Sequence, residues 1–136
     1  MLGISPLAYI LFRILCQSEM KTLTSHLCGV FHCSFDELPD AVKQNRQRVV
    51  TLLQALPLLT GHADGAHRPF KCDGLSLAGP RTLFGRGGQL GLTVEHVFFT
   101  LHRKEVRLPQ LPCIAIYVQE FEGEIYYPME LTFVDL

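Results

Sequence analysis

Residues 93–134 read TVEHVFFTLHRKEVRLPQLPCIAIYVQEFEGEIYYPMELTFV, and the order of elements in this stretch decides the fold. Thr93 is placed to cap a helix, with Glu95 in the first turn where its charge suits the helix dipole. Val94, Val97, Phe98 and Leu101 recur at i, i+3, i+4 and i+7, which predicts a one-sided apolar stripe. His102, Arg103 and Lys104 then form a cationic helix end. A proline-flanked segment, LPQLPCI (108–114), follows. Residues Ile114 to Val118 are β-branched or aromatic apart from Ala115 and predict a strand. Glu122 and Gly123 supply a turn. Glu124–Tyr127 and Met129–Val134 read as further strands, with Pro128 marking an edge or bulge.

Upstream, residues 57–92 hold eight glycines and three prolines, which is turn chemistry with room only for short strands. Leu58–Thr60 and Phe70–Leu77 are the strand candidates, and Gly85–Gly88 reads as a hairpin tip or loop. Before them, Asp40 can cap a helix over 40–56, whose inner face carries Val42, Val49, Val50, Leu53 and Leu56 and which Pro57 ends. Many short strands with two helices predict an α+β fold, mainly β: a small barrel or half-open sheet with a helical insertion. The strongly apolar run ISPLAYILFRILC (4–16) is too short to span a bilayer, is interrupted by Arg13 and lacks a basic flank before it. It reads as a core-facing helix or strand of an apolar N-terminal extension over 1–25, with a targeting segment as the alternative.

The chain's 136 residues suit one domain, and a 48% hydrophobic, 18% charged composition supports a buried core. A net charge of −1 argues against coating nucleic acid through bulk charge. The charge is uneven, however: +1 over 1–60, +3 over 61–107 and −5 over 108–136, so an anion site belongs in the middle segment. Five irregularly spaced cysteines do not suggest a disulfide framework, and reduced thiols in a cytoplasmic protein are expected. Cys28 and Cys33 lie near His26 and His32, but this spacing fits no common zinc module. No cofactor is implied.

The helix, the LPQLPCI segment and the later YYPMEL (126–131) together resemble the C-terminal half of a PAZ domain, a module of the Argonaute, Piwi and Dicer family. The resemblance covers roughly 26–134. Upstream, Gly61, His62, Gly65, Arg68, Phe70 and Lys71 look like the family's His, Arg, aromatic and basic positions, and Phe84 like the aromatic at the far side of its inserted hairpin. The resemblance implies an OB-like β-barrel with a β-hairpin and helix inserted beside it, over 26–136. The cleft between them holds the last two nucleotides of a small RNA's single-stranded 3′ end.

Residue by residue, the resemblance implies that Phe70 and Phe84 stack on or wall a base without reading its sequence. Arg68 and Lys71 take phosphate oxygens. His62 and His102 donate to a phosphate, and Tyr127 and Pro128 line the pocket floor where the family usually has an aliphatic residue and then proline. Val97 and His102 stand where animal Argonautes carry two tyrosines, and Leu101 where a lysine is common. The phosphate clamp would then come from His102, Arg103 and Lys104. Each position has an ordinary alternative: core aromatics for Phe70 and Phe84, a loop cap for His62, a solvated helix end for Arg103 and Lys104. Glu130 reads as bonded to nearby backbone and Cys113 as a core thiol.

The expected function is thus an RNA-binding module of gene silencing, acting with other domains of an Argonaute-like protein. The alternative is a PAZ-like fold that has lost RNA and binds protein. An enzyme is not expected, since the chain has no paired acidic triad, no G-x-S-x-G, no H-E-x-x-H and no phosphate-binding Gly-Lys loop. His102 with Cys113 would make a poor nucleophile pair, because Cys113 sits in an apolar strand pattern.

Overall fold

The computed structural model describes residues 20–63, 67–80, 92–121 and 123–135. The apolar run 4–16, Phe84 and the Gly85–Gly88 loop lie outside these described residues. The first strand, β1 (Met20–Thr22), leads directly into α1 (Leu23–Phe31), and both start ahead of residue 26. Thr22 caps that helix: its Oγ1 accepts the Ser25 N–H at 3.3 Å. Leu23 and Leu27 point from it into the core.

The helix expected over 40–56 is two helices, α2 (Leu38–Gln44) and α3 (Arg46–Ala55). Asn45 separates them at φ −120°, ψ 33°, and its side-chain amide donates to the Ala41 carbonyl at 2.8 Å. An asparagine that bonds the backbone in this way competes with the helical ladder. The expected inner face survives the break, with Val42, Val49 and Leu53 buried and Leu38 added to them. Leu56 is extended, and the helix stops before Pro57.

Among the described residues, seven short strands form two antiparallel sheets. β2 (Leu58–Thr60) and β3 (Pro69–Phe70) pair, and the first sheet runs β1-β7-β2-β3, with β7 spanning Thr132–Asp135. The second runs β4-β5-β6, from β4 (Gly74–Leu75) through β5 (Cys113–Val118) to β6 (Gly123–Pro128). The α+β reading therefore holds, but among the described residues the sheets stay open rather than closing a barrel, and helix outweighs strand. The strand expected over Met129–Val134 begins as a 3₁₀ turn, Met129–Leu131, and becomes β7 only at Thr132. Pro128 ends β6, and its carbonyl accepts the Thr132 hydroxyl at 3.1 Å, which turns the chain out of one sheet into the other.

Polar clamps tie these layers together. The Arg46 guanidinium donates to the carbonyls of Leu75 and Ser76, joining α3 to the second sheet. Glu130 accepts the N–H groups of Arg107 and Leu108, both at 2.9 Å, and so anchors the proline-flanked segment as the sequence suggested. Ile114, Met129, Leu108 and Leu111 meet the helical residues in one core. Cys113 is fully buried and its thiol is pushed up to about 12, first by burial and then by Glu130, so it is inert as a nucleophile.

The last helix, α4 (Val94–His102), starts as expected, with Thr93 Oγ1 accepting the His96 N–H at 3.2 Å. It ends at Arg103 in the left-handed region, φ 56°. Val94 and Val97 are buried, in line with reading Val97 as core, but Leu101 is 48% exposed. The stripe turns away from the core in its last turn. None of the described helices is long and apolar enough to cross a membrane.

Candidate functional site

Where β2 runs out, Gly61 brings the backbone unusually close to the 3₁₀ turn. A Cβ on Gly61 would meet the Leu131 carbonyl oxygen and the Phe133 ring, so only glycine fits. The close approach lets two successive N–H groups converge on one atom: Gly61 and His62 donate to the Tyr127 hydroxyl at 2.8 and 3.1 Å. Tyr127 projects from β6 and is buried, and its hydroxyl donates to the Leu131 carbonyl at 3.2 Å. Burial pushes this phenol up to about 12 although the two N–H bonds pull the other way, so it keeps its proton at physiological pH.

Around Tyr127 gather four more rings. His62 lies 5.5 Å from it by centroid, with Nδ1 at 2.9 Å from the hydroxyl. His102, from the end of α4, packs edge-on to His62 at 4.5 Å. Phe98, one turn earlier, sits 5.5 Å from His62 and 5.4 Å from Tyr127. Phe70, from β3, closes the other side of Tyr127 at 5.3 Å. The cluster thus draws on the turn after β2, on β3, on α4 and on β6. Burial, and secondarily the charge of His102, hold His62 below its ordinary value of 6.5, so its neutral form prevails near pH 7. Such a group offers aromatic faces and edges for stacking, and ring N–H groups for hydrogen bonding to oxygens.

The structure brings together His62, Phe70, His102 and Tyr127 of the residues expected at the site. Pro128 is buried beside Tyr127 in β6, in register with Cys113. Arg68 lies exposed just ahead of β3, where its N–H donates to Thr60 Oγ1 at 2.9 Å. Lys71 and Phe70 line a cavity of about 620 Å³ between the end of α3 and β3, so Phe70 borders both this cavity and the rings. That cavity is walled mainly by leucine and proline and carries none of the imidazoles. Arg103 and Lys104 line a separate groove of about 470 Å³ with Phe35, Phe99, Arg107 and Glu130. Phe84 lies outside the described residues.

Sequence reasoning missed Phe98 as a site residue, having assigned it to the core stripe. Its signal was position: it lies four residues before His102 and therefore on the same face of α4.

The chain superposes on the PAZ domain of a Drosophila Argonaute, solved in complex with 3′-end 2′-O-methylated RNA. The match has a TM-score of 0.54 and 20% identity, and covers 70% of this chain and 80% of the other. The fold is that of a PAZ domain. The Drosophila Argonaute 2 PAZ domain, solved for its recognition of nucleic-acid 3′ ends, is also similar: TM-score 0.48, 19% identity, 68% of this chain and 76% of that one. No protein-family profile and no curated protein sequence matches the chain. The PAZ fold sets the order of elements seen here, whereas the ring cluster is built from this chain's own side chains.

Proposed function

We propose that this chain is a module that holds the 3′ end of a small RNA, with the cluster of His62, Phe70, Phe98, His102 and Tyr127 as its pocket. The observation that carries the reading is the convergence of these five rings, from four separate elements, in a PAZ fold. A terminal nucleotide presents a base face, sugar hydroxyls and a phosphate. Aromatic walls take the first without regard to sequence, and imidazole N–H groups take the oxygens of the others. Arg68 and Lys71, exposed on either side of β3, would supply phosphate contacts, and Phe84 belongs to the same inserted region of the resemblance. The groove of Arg103, Lys104 and Arg107 suits the phosphates upstream of the terminal pair. The module acts without catalysis of its own, in gene silencing in the cytoplasm, beside other domains of an Argonaute-like protein.

Fluorescence anisotropy with a labelled RNA duplex tests this reading. A two-nucleotide 3′ overhang is expected to bind more tightly than a blunt end or a 3′-phosphorylated overhang. Phe98→Ala and Phe70→Ala should each lose that preference. Equal weak binding to all three duplexes, or none, would rule the reading out and turn the search to protein partners.

A further inference from the structure

The hydroxyl of Tyr127 has four polar neighbours: the N–H of Gly61 at 2.8 Å, the N–H of His62 at 3.1 Å, Nδ1 of His62 at 2.9 Å and the carbonyl of Leu131 at 3.2 Å. A phenol has one proton and two lone pairs. The two backbone N–H groups can only donate, and they take both lone pairs. A proton on Nδ1 of His62 would then point at an oxygen with nothing left to accept it. Nδ1 must therefore be the acceptor, sharing the phenol proton with the Leu131 carbonyl, and the imidazole proton sits on Nε2. We propose that Tyr127 is a positioning residue that locks His62 as the neutral Nε2–H tautomer, so that His62 offers the pocket one N–H donor and takes only ligand oxygens that accept.

Two further observations agree. Burial keeps the Tyr127 hydroxyl protonated, so its proton is available to Nδ1. The surroundings of His62 also favour its neutral form: burial disfavours a charge on it, His102 from α4 would repel one, and Tyr127 from β6 shares its one proton between Nδ1 and the Leu131 carbonyl. The sequence around the site supports the geometry, since Gly61 alone permits the backbone to reach the hydroxyl. A ring held in this way has no free lone pair facing the pocket, so it cannot draw a proton from a ribose hydroxyl. It binds and does not activate. The ligand named here rests on the 3′-end reading, but the tautomer does not.

The test is a long-range ¹H–¹⁵N correlation spectrum of the full chain with ¹⁵N-labelled histidine, at pH 7.5 and without RNA. His62 is expected to show a pyridine-like shift at Nδ1 and a pyrrole-like shift at Nε2. In Tyr127→Phe, which keeps the ring and removes the hydroxyl, the two tautomers should mix and the His62 pKa should rise by about one unit. Affinity for the overhang should fall about fivefold. A pyrrole-like Nδ1 in the unaltered protein would overturn the proposal, as would an unchanged tautomer and pKa in Tyr127→Phe. The spectrum of the unaltered protein decides the matter even if that variant does not fold. Absence of RNA binding together with the expected tautomer would strike only the 3′-end reading.

Discussion

The ring cluster and the cationic groove are two surfaces of one helix end, built on opposite principles. His62, Phe98, His102 and Tyr127 are held by packing and by hydrogen bonds to the backbone, with no formal charge needed near pH 7. Arg103, Lys104 and Arg107 line an open groove beside Glu105 and Glu130, so any binding there would rest on charge. The cluster is pre-organised, so its contribution should be specific and little affected by salt. The groove's contribution should be general and screened within about 10 Å at ordinary ionic strength. On the proposed 3′-end reading, the difference would let a chain of net charge −1 hold a nucleic-acid end: recognition would lie in shape and hydrogen bonding, with charge at the rim.

The most damaging way to break the cluster is through its backbone. Gly61→Ala forces a methyl against the Leu131 carbonyl and the Phe133 ring. It should cost about 3 kcal/mol in urea unfolding and abolish overhang preference. Glu130→Ala removes the acceptor of two N–H groups, one of them on buried Leu108. Equilibrium unfolding should register a loss of about 2 kcal/mol, with weakened order in the adjoining groove.

Acidification should separate the two surfaces next. His62 has a folded pKa below its ordinary 6.5, so the unfolded chain binds its proton first as pH falls. The corresponding stability is complete above pH 6.5 and is lost as pH drops from there through the lower folded value. Thermal melts should therefore fall in Tm below pH 6.5, and His62→Gln should flatten part of that fall. His26, also lowered by burial, accounts for another part. The smallest effect on the fold belongs to the groove. Arg103→Ala with Lys104→Ala should change stability by less than about 0.5 kcal/mol. The slope of log affinity against log salt should become shallower by about 1.4 if both residues meet phosphates.

Much of the fold was legible because its signals are local. Thr93 caps the helix it was expected to cap, β2 occupies Leu58–Thr60, and β5 and β6 pair as the two strands expected on either side of a turn. Where local pattern failed, a backbone detail or a tertiary contact had won. Asn45 broke a continuous helix with its own side-chain bond while the apolar face stayed buried. Met129–Leu131 alternates like a strand, yet the Thr132 hydroxyl closes it into a turn. The short α1 escaped notice because its cap, Thr22, lies in an extension read only as apolar. The site was half visible. Histidine and aromatic residues stand out by type, but which of them meet depends on contacts between residues as far apart as His62 and Tyr127. The apolar stripe alone did not separate Phe98, which faces the rings, from Leu101, which faces water; only the i, i+4 relation of Phe98 to His102 does.

The measurement that bears most directly on this account is overhang preference as a function of salt. Anisotropy titrations would compare overhang and blunt duplexes between 50 and roughly 300 mM salt, a range over which a few phosphate contacts weaken strongly. If the ring cluster recognises the RNA end, both affinities fall while their ratio stays constant. A ratio that collapses towards one as salt rises would mean that the rim charges, and not the rings, had been doing the selecting.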